Sequence, residues 1–370
     1  MDEPDQAAPA EVPVDIALCI DRDVYSRLWE VIQHLCVGLV DLTAPVRLLS
    51  SAAEAQALSL GPIEMIVHQA LSWPFRGQRL GQILDVLSAR PPTVVQAFSR
   101  GCFRVAEAVA RAFEIDLVLH LSATADVRAL QHVDGERVQH VIAASRPIYD
   151  LAAASGRVRR EALSVIHPGV LRQAKPTCFG TPGRIPTVLC TAALDGRSGV
   201  GHLIEAVSIL RDRGYELLSF LLGRGRAEGE LRRRVHACKL SQWITFAQPK
   251  GETSRIMDGA DIFVCPAPER ALSSDSLTAM ASGTAVVACA GSVADHCVDG
   301  ETAVVCPDDS PEALADGVSR LLDDHEYARA LAVAGLLYLK EHHPVSAMAE
   351  QSLALFRQLA LRRRTFAMGK

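Results

Sequence analysis

A long series of short apolar runs, alternating with stretches of helical periodicity, constrains this chain more than any other feature of its sequence. In the first half the runs are VDIALCI from Val14, VRLLS from Val46, IEMIVH from Ile63, TVVQAF from Thr93, IDLVLHLS from Ile115, VQHVIAAS from Val138 and ALSVIH from Ala162. In the second half they are TVLCTAAL from Thr187, LLSFLLG from Leu217, WITFA from Trp243, IFVCPA from Ile262, TAVVACA from Thr284 and AVVCP from Ala303. A run that is apolar at successive positions, rather than at every second one, fits a strand covered on both faces. Such strands alternating with helices make a parallel sheet with helices on either side, so the chain reads as α/β and doubly wound.

The alternation breaks once, in PGVLRQAKPTCFGTPGRIP from Pro168 to Pro186, where Pro and Gly are dense and periodicity vanishes. With 370 residues, the chain exceeds the usual size of one core, and this break divides it in two. The reading is an acidic disordered tail over 1–12, an N-terminal domain over 13–170, a linker over 171–186, a C-terminal domain over 187–344 and a C-terminal helix over 345–370. That last helix leaves the second domain and is expected to pack back on the first. Within the second domain, Leu203, Val207 and Leu210 form one helical face closed by Gly214. Pro311, after Asp309 and Ser310, marks a helix start. Ligands in such folds bind beyond the carboxyl ends of the strands, which makes an interdomain cleft the expected site.

Charge and cysteine usage exclude several classes. A net charge of −5 with mixed signs is not that of a nucleic-acid binder. The clusters Arg232–Arg234 and Arg362–Arg364 read as solvated helix faces. The cysteines lack zinc spacing, and Cys19, Cys190, Cys265, Cys289 and Cys306 lie within apolar runs, as reduced cysteines in a cytoplasmic protein do. The opening MDEPDQAAPAEVP is acidic and lacks the pattern of a secretory signal. The uncharged core of Ser276–Ala294 is broken by Gly283 and Gly291, so it reads as helix, turn and strand and not as a membrane span.

Two strand-loop-helix junctions are candidates for chemistry. In LLGRGRAEGEL, Gly223 and Gly225 stand where backbone amides at a helix N-terminus approach an anion, and Arg224 and Arg226 offer guanidinium groups to phosphate oxygens. The structural alternative is an exposed turn. In PERALSSDSLTAMASG, from Pro268 to Gly283, Ser273, Ser274 and Ser276 either cap the helix or bind a ligand. Asp275 there favours the helix dipole but repels phosphate. VIHPGV sets His167 and Gly169 at a strand end. His342 and His343, before Pro344, read as partners of a helix C-terminus. No Ser/His/Asp ordering, metal motif or Walker loop is present.

The run ADIFVCPAPERALSSDSLTAMASGTAVVACAGSVADHCVDGETAVVCPDDSPEALADGVSRLLDD, together with GVGHLIEAVSILRDRG, LLGRGRAEGELRRRV and VIHPGV, resembles the C-terminal domain of family 4 glycosyltransferases. The resemblance implies the GT-B fold, in which two Rossmann-like domains face each other across a cleft. It also implies transfer of a sugar from a nucleotide-sugar to an acceptor, with retention at the anomeric carbon, no metal and no other cofactor. In the family an Arg and a Lys neutralise the leaving diphosphate, and two glutamates with seven residues between them hold sugar and ribose. Those positions fall here on Ala193, Ser198, Arg270 and Thr278, with Glu269 one residue out of register. The family's first-domain glycine pair is absent from CIDRDVYSRL, and its His falls near Ser122.

The resemblance therefore implies a donor site made of Ser198, Gly223, Arg224, Gly225, Arg226, Arg270, Ser273, Ser274 and Thr278, with unknown catalytic residues. Arg197 is a further source of positive charge. Three readings stay open: a divergent glycosyltransferase with a nucleotide-sugar and an unknown acceptor as partners; an inactive GT-B pseudoenzyme acting as a binding or partner subunit; and a sugar-phosphate epimerase that would use His167 or Glu269. No nucleic-acid partner is expected. Peripheral membrane contact rests on LALRRRTFAMGK alone.

Overall fold

The computed structural model describes residues 12–52, 61, 63–69, 76–172, 175–176, 178–248 and 256–368. The acidic tail expected before Val12 lies outside them. By contacts the chain divides into two compact units. The first joins residues up to Ala144, Ile148–His167 and Val345–Lys370; the second joins Ser145–Pro147 and Pro168–Pro344.

In the first unit the elements run β1 (Ile16–Ile20), α1 (Arg22–Asp41), β2 (Val46–Ser50), β3 (Glu64–Val67), α2 (Arg76–Ser88), β4 (Val94–Ala97), α3 (Phe103–Phe113), β5 (Asp116–Leu121), α4 (Thr124–Ala129), β6 (Val138–Ala143), α5 (Arg146–Ala154, whose Arg146 and Pro147 group with the second unit) and β7 (Leu163–Val165). The seven strands are parallel and ordered β3-β2-β1-β4-β5-β6-β7. Every residue of β1, IALCI, is buried, as befits the strand from which the sheet grows both ways. The helix α1 starts at Asp21, whose carboxylate accepts from the Val24 N–H, and it buries Val24, Leu28, Val31, Ile32, Leu35 and Leu39 on one face.

The second unit continues with β8 (Thr187–Thr191), α6 (Val200–Asp212), β9 (Leu218–Leu222), α7 (Glu228–Ala237), β10 (Ile244–Ala247), β11 (Ile262–Val264), α8 (Ser274–Ala281), β12 (Ala285–Cys289), β13 (Val304–Cys306), α9 (Pro311–Asp323) and α10 (His325–His342). Its parallel sheet has the order β10-β9-β8-β11-β12-β13. The chain winds outward from β8 and returns at β11, so the order reverses between these two strands. The fold is thus two doubly wound parallel sheets, as the alternation of runs predicts.

The last helix, α11 (Val345–Met368), groups with the first unit, where Met348, Leu353, Phe356 and Leu359 join the core under α1. A Cβ on Gly38 would lie 2.7 Å from the Cβ of Ala349, so glycine is what lets α1 and α11 approach so closely. The Pro/Gly segment before β8 packs on the second unit through its described residues. Cys178 is buried in that unit's core, and Phe179 stacks on His325 with ring centroids 4.0 Å apart. Asp261, buried just before β11, accepts from the N–H groups of Phe179 (2.6 Å) and Thr187 (2.8 Å) and pairs with Arg184 at 2.7 Å. One buried carboxylate therefore fastens the segment to the sheet it introduces.

Candidate functional site

In an open α/β sheet the loops at the carboxyl ends separate where the strand order reverses, and a ligand can enter there. In the second unit that point lies between β8 and β11, and the backbone geometry draws the flanking loops together. Gly199, with φ of 72°, precedes α6, and a Cβ on it would meet the Pro266 carbonyl oxygen at 2.1 Å. A Cβ on Gly223 would lie 1.9 Å from the Ala192 oxygen, and one on Gly225 would lie 2.0 Å from the Leu194 oxygen. Hydrogen bonds from Ala192 N–H to Leu222 O, from Leu194 N–H to Arg224 O and from Ala227 N–H to Leu194 O lock the same approach. The loops after β8, β9 and β11 are thus joined backbone to backbone, and no side chain fits between them. The two glycines of the GRGR turn serve this packing.

The sequence-derived candidates lie on these three loops and on α8. Arg224 and Arg226 are exposed on the loop after β9, and Arg270 is exposed after β11. Ser198 is half-buried, and its hydroxyl donates to the Asp195 carbonyl at 3.2 Å, which closes the turn before α6. Ser273 is the N-cap of α8, accepting from the Asp275 N–H at 3.2 Å. Ser274 and Thr278 are buried within α8. Ala193, at the position of the family's Arg, is exposed and brings no charge.

Sequence reasoning missed a buried polar chain behind α8. The Ser276 hydroxyl donates to Glu269 Oε2 at 3.3 Å, and His296 Nε2 lies 3.0 Å from the same hydroxyl. Glu269, the carboxylate one residue out of register, is thereby tied to a wholly buried histidine. Asp295 and His343 complete the group: one ligand atom from each of Asp295, His296 and His343 lies within 4.8 Å of the others. The pair His342-His343 also divides its roles. His342 Nδ1 lies 3.1 Å from the Tyr338 carbonyl in the last turn of α10, as a C-terminal partner should. His343, by contrast, is buried, and its Nδ1 donates to the Pro168 carbonyl at 2.8 Å. A local spacing rule cannot find this cluster, because His343, just past the end of α10, lies far in sequence from Asp295 and His296.

All ten cysteines are free. Burial pushes the thiols of Cys19 and Cys36 in the first unit up to about 12. In the second unit burial, aided by Asp275, holds Cys190 at about 12, and burial with Glu269 nearby raises Cys265 well above its usual value. These thiols stay protonated and act as small apolar residues, not as nucleophiles.

The carboxyl edge of the first sheet is built differently. Asp21 accepts from the Ser99 hydroxyl at 2.7 Å, and Asp126, buried, accepts from the N–H groups of Arg100 (3.0 Å), Ser122 (3.1 Å) and Ala123 (2.9 Å). Burial raises the Asp126 pKa despite these donors and the nearby Arg27. Ser122, which falls near the family's histidine, is fully buried, with Arg27 3.4 Å from its hydroxyl. Among the described residues no helix is long and apolar enough to cross a membrane.

Residues 185–324 match the family of glycosyl transferases group 1. The chain is similar to an alpha-maltose-1-phosphate synthase of Mycolicibacterium smegmatis, 31% identical over 32% of either chain. It is also similar to a GDP-mannose-dependent alpha-(1-6)-phosphatidylinositol monomannoside mannosyltransferase of Mycobacterium tuberculosis, 29% identical over 41% of this chain and 42% of that one. The matched part therefore spans less than half the length of these relatives. In three dimensions the chain resembles the Anabaena protein Alr3699/HepE, solved with UDP and glucose, with a TM-score of 0.78 and 15% identity over 92% of this chain and 99% of that one. The second unit is thus similar, over residues 185–324, to glycosyl transferases group 1, and the chain as a whole has the GT-B fold of its structural neighbours.

Proposed function

We propose that this protein is a nucleotide-sugar-dependent glycosyltransferase whose diphosphate site is built from cations other than the family's. The observation that carries the reading is the strand-order reversal in the second unit. There, three loops are packed backbone to backbone, and Arg224, Arg226 and Arg270 are exposed on two of them. Exposed guanidinium groups beside helix N-termini supply the positive charge and aligned amides that a leaving diphosphate demands. The Anabaena neighbour, solved with UDP and glucose, supports a nucleoside diphosphate as the class of ligand. Ten free cysteines support a reducing, cytoplasmic setting.

A second reading, a GT-B subunit that binds without catalysing, is favoured by one specific observation. At the aligned positions Ala193 is uncharged, the Ser198 hydroxyl is spent on Asp195, and Thr278 is buried in α8. Losing a transition-state cation costs a factor of about 100 to 1,000 in rate. Thermal-shift screening against UDP, GDP and ADP and their sugars separates the readings. A transferase is stabilised by one base, and without an acceptor it slowly hydrolyses the matching sugar nucleotide, passing the sugar to water and releasing that nucleoside diphosphate. A binding subunit gives stabilisation without release. If no nucleotide raises the melting temperature of the folded chain, the donor site proposed for the loops after β8, β9 and β11 is wrong.

A further inference from the structure

We propose that Asp295, His296 and His343 form a site for a divalent transition-metal ion of the zinc type inside the second unit. Asp295 and His296 lie on the loop between β12 and β13, and His343 follows α10. The three residues converge so that their ligand atoms lie within 4.8 Å of one another. The two imidazoles are 0% and 1% exposed, and their rings meet edge to face with centroids 5.9 Å apart. Two imidazoles sealed from water beside a carboxylate form an expensive arrangement for a purely apolar core. An ion that all three ligate offsets that cost.

The hydrogen bonds decide which nitrogen of each ring is basic. A carbonyl only accepts, so the 2.8 Å contact to Pro168 O fixes the proton of His343 on Nδ1 and leaves Nε2 as the basic nitrogen. The Ser276 hydroxyl donates its proton to Glu269, so it accepts from His296 Nε2, and Nδ1 is then the basic nitrogen of His296. In its neutral form each ring is thus held through its N–H, by a carbonyl or by a hydroxyl backed by a carboxylate. That is the outer-shell support characteristic of metal-ligating histidines. Asp295 is anchored in the same manner: its Oδ2 accepts at 2.7 Å from the N–H of Arg146, in the short segment that groups with this unit. Nitrogen and oxygen donors in this proportion suit zinc and its neighbours rather than calcium or magnesium. A tetrahedral ion with bonds of about 2.0–2.1 Å sets its ligands about 3.4 Å apart, so the 4.8 Å cluster would have to close slightly around it. Three protein ligands leave one position open. The ion would staple the β12–β13 loop to the end of α10, and through Ser276 to Glu269.

The test is equilibrium dialysis of the chelator-treated full-length chain against Zn²⁺, with metal counted by mass spectrometry, and a parallel Co²⁺ titration followed in the visible spectrum. The expected result is about one zinc per chain, a rise in melting temperature with zinc, and cobalt d–d bands. His343→Phe and His296→Leu, which put apolar side chains into buried sites, should each weaken binding about 100-fold while the exposed His132→Ala control binds as the parent does. Asp295→Asn keeps an acceptor for the Arg146 N–H and should also weaken binding, so it decides the matter if a histidine variant fails to fold. A folded chain that takes up no stoichiometric zinc would overturn the proposal. So would zinc uptake that is unchanged in all three ligand variants.

Discussion

The carboxyl edges of the two sheets handle polar residues in opposite ways. In the first unit the carboxylates point inward and are consumed by the fold. Asp21 caps α1 and accepts from Ser99, a Cβ on Gly101 would come within 2.0 Å of its Oδ2, and Asp126 holds three backbone N–H groups. In the second unit the loops are held by glycines in backbone contact, and the charged side chains Arg224, Arg226 and Arg270 are left exposed. A carboxylate that ties loops together is a stability residue whatever its position in the family. A cation not needed to hold its own loop is available to a ligand. The comparison therefore sorts residues by what their removal should cost.

The largest stability effect is expected for Asp126→Ala. It strands the N–H groups of Arg100, Ser122 and Ala123, the last two buried, and is expected to cost about 3–5 kcal/mol in urea unfolding. A loss under about 1 kcal/mol would mean that the first sheet's edge is not built as described. Next comes Gly225→Ala, where the added Cβ would sit 2.0 Å from the Leu194 carbonyl oxygen. Forcing two backbones apart should cost about 2–3 kcal/mol. If it proves neutral, the glycine serves a ligand and not the packing.

A pH dependence tests the first unit from another side. Burial lowers the pKa of His120 to about 3, and Gln96, an amide donor 3.2 Å from Nδ1, favours the neutral ring. The folded pKa lies below the unfolded value of 6.5, so this stabilisation is complete above pH 6.5 and is lost as pH falls toward 3. His120→Phe should flatten the stability profile between pH 6 and 4 by about 1.4 kcal/mol per pH unit. An unchanged slope would show that His120 titrates normally. Smaller still, Ser273→Ala removes the N-cap of α8 and should cost about 1 kcal/mol in the same unfolding assay.

Elements whose cause is local were legible in the sequence. Each apolar run became a strand, Gly214 and Gly283 adopt positive φ where they follow α6 and α8, and Ser310 and Pro311 begin α9. What escaped depends on contacts between distant residues. Asp261, an unremarkable acid before a strand, turns out to anchor the Pro/Gly segment. His343 reads as the partner of a helix end, yet it bonds to Pro168, 175 residues away. Likeness to glycosyl transferases group 1 is legible in the second unit, at residues 185–324, while likeness to solved structures extends over nearly the whole chain at low identity. Parallel-sheet packing tolerates exchange of one apolar residue for another, so a first unit of the same fold need carry little sequence likeness.

The central claim is that exposed arginines on the loop after β9 hold the diphosphate of a nucleotide-sugar. Calorimetric titration of the full-length chain, its Arg224→Ala and Arg226→Ala variants and an Arg213→Ala control with the preferred nucleoside diphosphate tests it most directly. Arg213 pairs with Asp316 at the far end of α6 and serves as a cation with no part in the site. Each loop variant should lose about 10-fold in affinity, in line with about 1.5 kcal/mol for a charge-assisted hydrogen bond, while its stability and the control's affinity stay unchanged. Equal affinity for the parent and both loop variants would contradict the account.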